Sequence, residues 1–76
     1  MIAGCFSRAG VEVVIEDARG WKMNVFSGSA PHYGAGGFEI AVSEDGYYTV
    51  KVEEKTIEVN LRGETVFLRE EFEPSP

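Results

Sequence analysis

The chain has 76 residues, of which 43% are hydrophobic and 26% charged, values typical of one globular domain with no length for a second. The formal net charge of −6 argues against nucleic acid and anionic membrane surfaces as partners, because no basic cluster offsets it. A single cysteine and a single histidine exclude an internal disulfide and a structural zinc site.

The first ten residues carry the weakest pattern, and residues 3–7 are a candidate for one additional strand. Residues 2–5 (IAGC) resemble the end of a bacterial lipoprotein signal. Such a signal needs a basic segment and an apolar segment before it, so we expect Cys5 to be an ordinary residue. No apolar run approaches the ~18 residues of a membrane span. We therefore expect a soluble domain and assign it no compartment.

From residue 11 onwards, apolar and polar residues alternate, which predicts strands with one buried face. Turn residues separate these runs: DARG at 17–20, DG at 45–46 and RG at 62–63. The predicted strands cover residues 11–16, 21–26, 38–43, 47–53, 56–61 and 65–69. Strands at this spacing predict an all-β antiparallel sandwich of six or seven strands, and residues 73–76 are predicted to be a frayed tail.

The alternation also assigns the core. Tyr48 is expected to bury its ring and return its hydroxyl to nearby backbone. A chain this short commits nearly every inward side chain to packing, which leaves little interior for a catalytic cavity. The side chains predicted to point inward are Val11, Val13, Ile15, Trp21, Met23, Val25, Phe38, Ile40, Val42, Tyr48, Val50, Val52, Ile57, Val59, Leu61, Val66 and Leu68.

The longest predicted loop, residues 27–37 (SGSAPHYGAGG), is the first candidate for a binding site. His32 and Tyr33 lie near its centre, where loops on rigid sandwiches often carry binding residues. The alternative is a glycine-rich connector between two sheets. The second candidate is the set of outward aromatics Phe26, Tyr47 and Phe67, which would form a binding platform or a subunit contact if they lay on one sheet face.

Catalytic signatures are missing from the sequence. Residues 34–37 (GAGG) lack the lysine and the following helix of a phosphate-binding loop. Ser27 and Ser29 lie near His32, but nothing suggests the third group and the oxyanion hole that a nucleophile requires. The adjacent glutamates at 53–54 and 70–71 point to opposite faces if they lie on strands. We predict no enzymatic activity, no cofactor and no metal site.

Four segments together resemble a known family: GFEIAV at 37–42, DGYYTVKV at 45–52, TIEVNL at 56–61 and ETVFL at 64–68. They are similar to the strands and turns of carboxypeptidase regulatory-like and PEGA-like β-sandwich domains. The resemblance implies an immunoglobulin- or prealbumin-like topology and an accessory role without catalytic residues. It stops at residues 27–37, where this chain has a longer connection, richer in glycine, than that family.

Two functions stay open at this point. The first is a non-catalytic accessory or protein-interaction module that can self-associate through an edge strand or through the outward aromatics. The alternative is a carbohydrate-binding module, in which Tyr33, Trp21 or Tyr47 stacks on sugar rings. The predicted inward position of Trp21 counts against the sugar hypothesis. Abundant glutamate and the absence of glutamine are typical of a thermophilic source.

Overall fold

The computed structural model describes residues 1–42 and 44–68, which fold into seven strands and a single-turn 3₁₀ helix. The elements in chain order are β1 (Ile2–Phe6), β2 (Glu12–Asp17), β3 (Lys22–Phe26), the 3₁₀ helix (Pro31–Tyr33), β4 (Gly36–Ile40), β5 (Gly46–Val52), β6 (Lys55–Leu61) and β7 (Val66–Leu68). The all-β prediction is confirmed, with the N-terminal segment as the seventh strand. The predicted tail at 73–76 and the glutamate pair at 70–71 lie outside the described residues.

The strands form two sheets. One has three strands in the order β4-β1-β7, and the other has four in the order β3-β2-β5-β6. Every neighbouring pair is antiparallel except β1 and β7, which run parallel. In the described residues, no helix is long and apolar enough to cross a membrane.

The core lies between the inner faces of the two sheets. It consists of Ile2, Phe6, Val11, Val13, Ile15, Phe38, Ile40, Tyr48, Val50, Val52, Val59, Leu61 and Leu68, with Val25, Val42, Ile57 and Val66 partly buried against it. Ile2 and Phe6 are additions to the predicted set. They lie on the middle strand of the three-stranded sheet, where Ala3 between them is also fully buried. A strand covered on both faces shows no clean alternation, which is why the pattern was weak there.

Two predicted core residues are wrong: Trp21 and Met23 are 43% and 45% exposed. Met23 lies opposite Ile15, and residues directly opposite in an antiparallel pair share a face. Met23 is therefore on the inner face, as predicted, yet its partner Ile15 is fully buried while Met23 is not. We attribute the exposure of Met23 to the position of its strand. β3 is an edge strand of the four-stranded sheet, and the sheet that packs against it has only three strands.

β4 begins and ends earlier than the predicted strand at 38–43. Gly36 and Gly37 pair with Phe6 and Cys5 of β1, and the ladder ends where Ile40 lies opposite Ile2. Two glycines at the start of a strand give no alternation signal, so sequence patterning assigned them to the preceding loop.

Gly4, in the middle of β1, gives a test of the core packing. A Cβ at this position would lie 2.6 Å from the Cζ atom of Phe38 and 3.1 Å from the carbonyl oxygen of Leu68. We expect Gly4→Ala to lower the free energy of unfolding by about 1–3 kcal/mol, because the overlap forces the ring or the backbone to move. Urea denaturation measures the change.

The matched background for this test is Phe38→Leu, which removes the ring that the new methyl group would strike. The cost of Gly4→Ala should be smaller in that background, because contacting residues are energetically coupled. An equal cost in both backgrounds would show that the ring does not set it.

Candidate functional site

The β2–β3 turn holds Trp21 at the end of the sandwich. The Asp17 carboxylate accepts hydrogen bonds from the backbone N–H groups of Arg19 (2.9 Å) and Trp21 (2.8 Å), and the Asp17 amide donates to the Trp21 carbonyl oxygen (2.9 Å). Gly20 reverses the chain with φ of 91°, a conformation that costs glycine little. These bonds fix the backbone of Trp21, and 43% of the residue stays exposed.

Two adjoining clefts open beside this turn. The first has a volume of ≈ 360 Å³ and includes Trp21 in its wall, and the second has ≈ 240 Å³ and includes Tyr47. Four residues line both clefts: Asp17, Arg19, Glu44 and Tyr48. The β2–β5 register brings them together, because Asp17 pairs directly with Tyr48.

The shared wall of the clefts is held by charge and hydrogen bonding. The Arg19 guanidinium lies 2.5 Å from a Glu44 carboxylate oxygen and 3.5 Å from an Asp17 carboxylate oxygen. The buried Tyr48 donates its hydroxyl proton to the Glu44 carbonyl oxygen (2.5 Å), which confirms the role expected for this tyrosine. Sequence reasoning missed Arg19 and Glu44, since 25 residues separate them.

The charges in this wall alter two pKa values. Desolvation raises the pKa of the Asp17 carboxyl, but the N–H groups of Trp21 and Arg19 and the charge of Arg19 outweigh it, and the net pKa is lowered. The hydrogen bond and the charge of Glu44 raise the pKa of Arg19. Both groups are therefore held in their charged forms.

The predicted binding loop, residues 27–37, packs on the three-stranded sheet. The amides of Gly28 and Ala30 donate to the Gly37 carbonyl oxygen (2.7 and 3.1 Å), and the Gly37 amide donates to Gly34 (3.1 Å). A Cβ on Gly37 would lie 2.3 Å from the Ala30 carbonyl oxygen and 2.8 Å from the Tyr33 Cβ. The glycine content of this segment is thus explained by close packing of its own backbone.

His32 and Tyr33 make contacts within the molecule. The Tyr33 hydroxyl donates to Glu39 on β4 (3.2 Å), and the His32 Nε2 atom lies 3.7 Å from the other oxygen of that carboxylate. The ring centroids of His32 and Tyr33 are 4.2 Å apart, and those of Tyr33 and Phe67 are 5.7 Å apart in an edge-to-face arrangement. Burial and the hydrogen bond to Glu39 raise the pKa of Tyr33.

The outward aromatics do not form one platform. Phe67 lies on β7 in the three-stranded sheet, whereas Phe26 and Tyr47 lie in the other sheet. Phe26 pairs with Glu12 at the start of β2, and Tyr47 lies just beyond Asp17 at its end, so the length of β2 separates them. Each is about half exposed, at 50%, 57% and 47% for Phe26, Tyr47 and Phe67.

One side of β3 presents backbone groups that no described strand pairs with. The Asp17 amide bonds to Trp21 and the Ser27 amide to Val11, so in this register odd-numbered residues of β3 point their amides towards β2. The even-numbered residues therefore point theirs away. We call Lys22, Asn24 and Phe26 the β3 edge. The Phe26 carbonyl oxygen already accepts the Ser29 amide (3.2 Å).

The other sheet edges differ from the β3 edge. The backbone of residues 28–34 covers β4 through the bonds to Gly37. β7 has three residues, and β6 presents Thr56, Glu58 and Asn60. Charged and polar side chains and short length are common protections of edge strands. β3 instead carries two large apolar side chains, Met23 and Phe26, which are 45% and 50% exposed beside the polar Lys22 and Asn24.

Among the described residues, no group of three histidine, cysteine, aspartate or glutamate side chains is placed to hold a metal ion. Comparisons with protein-family models, curated proteins and solved structures found no match to this chain.

Tyr33→Ala tests whether the loop is packed structure. We expect the free energy of unfolding to fall by about 1–3 kcal/mol, because the ring packs on Phe67 and its hydroxyl is bonded to Glu39. His32→Ala, at a more exposed neighbour, should change it by less than about 0.5 kcal/mol. Chemical denaturation of both variants decides the question, and a Tyr33→Ala protein as stable as wild type would contradict the packed loop.

The lowered pKa of Asp17 predicts a pH-dependent contribution to stability. Since the carboxyl ionises more readily in the folded state than at its ordinary value of 3.8, its contribution is fully present above that pH and is lost as the pH falls through the folded-state pKa. Asp17→Asn should therefore lower the melting temperature at pH 7, and the difference from wild type should close towards pH 2. Melting curves across this range test it, with the exposed Glu58→Gln as a control at pH 7. A difference that persists unchanged at the lowest pH would contradict it.

Proposed function

We propose that this chain is a non-catalytic interaction module that associates with a second copy of itself through the β3 edge. The observation that carries the proposal is that no described strand pairs with this edge and that Met23 and Phe26 of β3 are about half exposed, while β4 is covered and β6 presents polar side chains. The resemblance to carboxypeptidase regulatory-like and PEGA-like domains supports an accessory role of this kind.

The pairing that uses the whole β3 edge is antiparallel, with Asn24 of each copy on the two-fold axis. Lys22 then lies opposite Phe26 of the second copy, and Met23 lies opposite Val25. The residues with outward amides become hydrogen-bonded pairs in this register, as an antiparallel ladder requires. A two-fold arrangement closes the interface on itself and leaves no free copy of β3.

Side-chain burial favours the same register. Met23 is 45% exposed in the single chain, and contact with Val25 of the second copy would cover it on the inner face. On the outer face, the Lys22 stem would lie across the half-exposed Phe26 ring, with the ammonium group attracted to the ring face. Cross-strand pairs of this kind contribute about 0.2–1 kcal/mol each.

The net charge of −6 on each chain opposes association, since two acidic surfaces approach each other. Salt screens this repulsion, with a Debye length of about 10 Å at 0.1 M. Association through β3 should therefore strengthen as salt is added, whereas an interface held by ion pairs would weaken.

Asn24→Pro is the sharpest test of the β3 edge. Proline removes the outward amide of Asn24 and leaves the odd-numbered amides that bond to β2 intact. For the wild-type chain, we expect light scattering to give the mass of a dimer at concentrations up to about 1 mM. For Asn24→Pro, we expect the dissociation constant of the dimer to be at least about tenfold higher.

The chain offers two matched controls. Glu58→Pro places the same residue on the opposite edge of the same sheet, where the even-numbered amides also point away, and it should leave the mass unchanged. Asn24→Ala removes the side-chain bond to Glu12 (2.9 Å) but keeps the amide, and it should still dimerise. A wild-type chain that is monomeric at the highest concentration, or equal weakening by both prolines, would contradict the proposal.

A further inference from the structure

Trp21 and Tyr47 form aromatic walls of two adjoining clefts whose common wall carries Asp17, Arg19 and Glu44. We infer that these clefts bind a neutral oligosaccharide, with one pyranose ring against each aromatic side chain. This inference does not rest on self-association, because Trp21 precedes β3 and Tyr47 lies on β5, so that neither belongs to the β3 edge. The exposure of Trp21 removes the objection that its predicted inward position raised.

The aromatic side chains supply the stacking surface that a sugar requires. One face of a pyranose ring presents C–H groups, and these pack on the negative face of an aromatic ring. Trp21 and Tyr47 are 43% and 57% exposed. Exposing an indole to water is unfavourable, and a bound sugar ring that covers the indole removes this apolar surface from water.

The common wall supplies hydrogen bonds suited to hydroxyl groups. A sugar hydroxyl both donates and accepts, and the wall offers carboxylate acceptors on Asp17 and Glu44 beside the guanidinium donors of Arg19. These groups are held before any ligand arrives, since Asp17 is fixed by two backbone amides and Arg19 lies between the two carboxylates. Groups that are already ordered lose little entropy on binding.

Charge and size narrow the ligand class. Two carboxylates face one guanidinium in a chain of net charge −6, so an anionic sugar would be repelled. The clefts have volumes of ≈ 360 and ≈ 240 Å³ and meet at Arg19 and Glu44. One ring per cleft with a linkage across the common wall fits an oligosaccharide better than a monosaccharide.

Trp21 is the chain's one tryptophan, so its fluorescence reports directly on the first cleft. The wild-type chain is titrated with cellotetraose, chitotetraose and maltotetraose, and with the anionic tetragalacturonate as the charge control. We expect a saturable change in emission with at least one neutral tetrasaccharide, and binding of tetragalacturonate at least about tenfold weaker. No saturable change with any neutral tetrasaccharide up to about 10 mM would overturn the inference.

Four variants locate the site. Trp21→Ala, followed by calorimetry because the reporter is gone, should lose binding, while Trp21→Phe should retain part of it. Tyr47→Ala keeps the reporter and should weaken binding of the neutral tetrasaccharide about tenfold. Binding of the monosaccharide from which that tetrasaccharide is built should be unchanged. Phe67→Ala, an equally exposed aromatic on the other sheet, should bind as wild type does. Binding that survives Trp21→Ala, or equal losses in Tyr47→Ala and Phe67→Ala, would overturn the assignment.

Discussion

The three-stranded sheet is one strand narrower than the sheet it packs against, and this mismatch leaves the inner side of β3 without full cover. Met23 is half exposed on a face where its cross-strand partner Ile15 is fully buried. Trp21, which directly precedes β3, is 43% exposed and lines the larger of the two clefts. The unequal widths of the two sheets account for the exposure of Met23, whereas the unpaired backbone groups of β3 follow from its place at the edge of its own sheet.

The space beside β4 is occupied by backbone without strand geometry. Residues 27–37 leave β3, turn through the 3₁₀ helix and return along β4, with two amides bonded to the Gly37 carbonyl oxygen. The segment protects the β4 edge from pairing, and Gly34 comes close to the Cys5 side chain of β1. Glycine permits this approach, because a side chain on Gly37 would collide with Ala30 and Tyr33. Close packing within the loop therefore accounts for glycine at position 37.

The alternation of apolar and polar residues predicted the buried side chains correctly wherever the opposite sheet covers the strand. Val13, Val50 and Leu61 are buried as predicted, because period two determines which side of a strand a residue occupies. It does not determine whether the opposite sheet reaches that side, which is why Trp21 was misplaced. The meeting of Arg19 with Glu44 depends on the β2–β5 register. That register is set by pairing across the whole sheet, so no local pattern in either turn could have indicated it.

The parallel pairing of β1 with β7 has a mechanical consequence. Ile2 lies beside Val66 and Gly4 beside Leu68, so the first and last described strands are neighbours that run in the same direction. A pull on the start of β1 and the end of β7 in opposite directions acts along both strands. Such a pull places all the hydrogen bonds between β1 and β7 under shear at the same time. A hairpin pulled apart from its open end would instead break its hydrogen bonds one after another. Under tension between the start of β1 and the end of β7, the force therefore acts directly on the parallel pair that these two strands form.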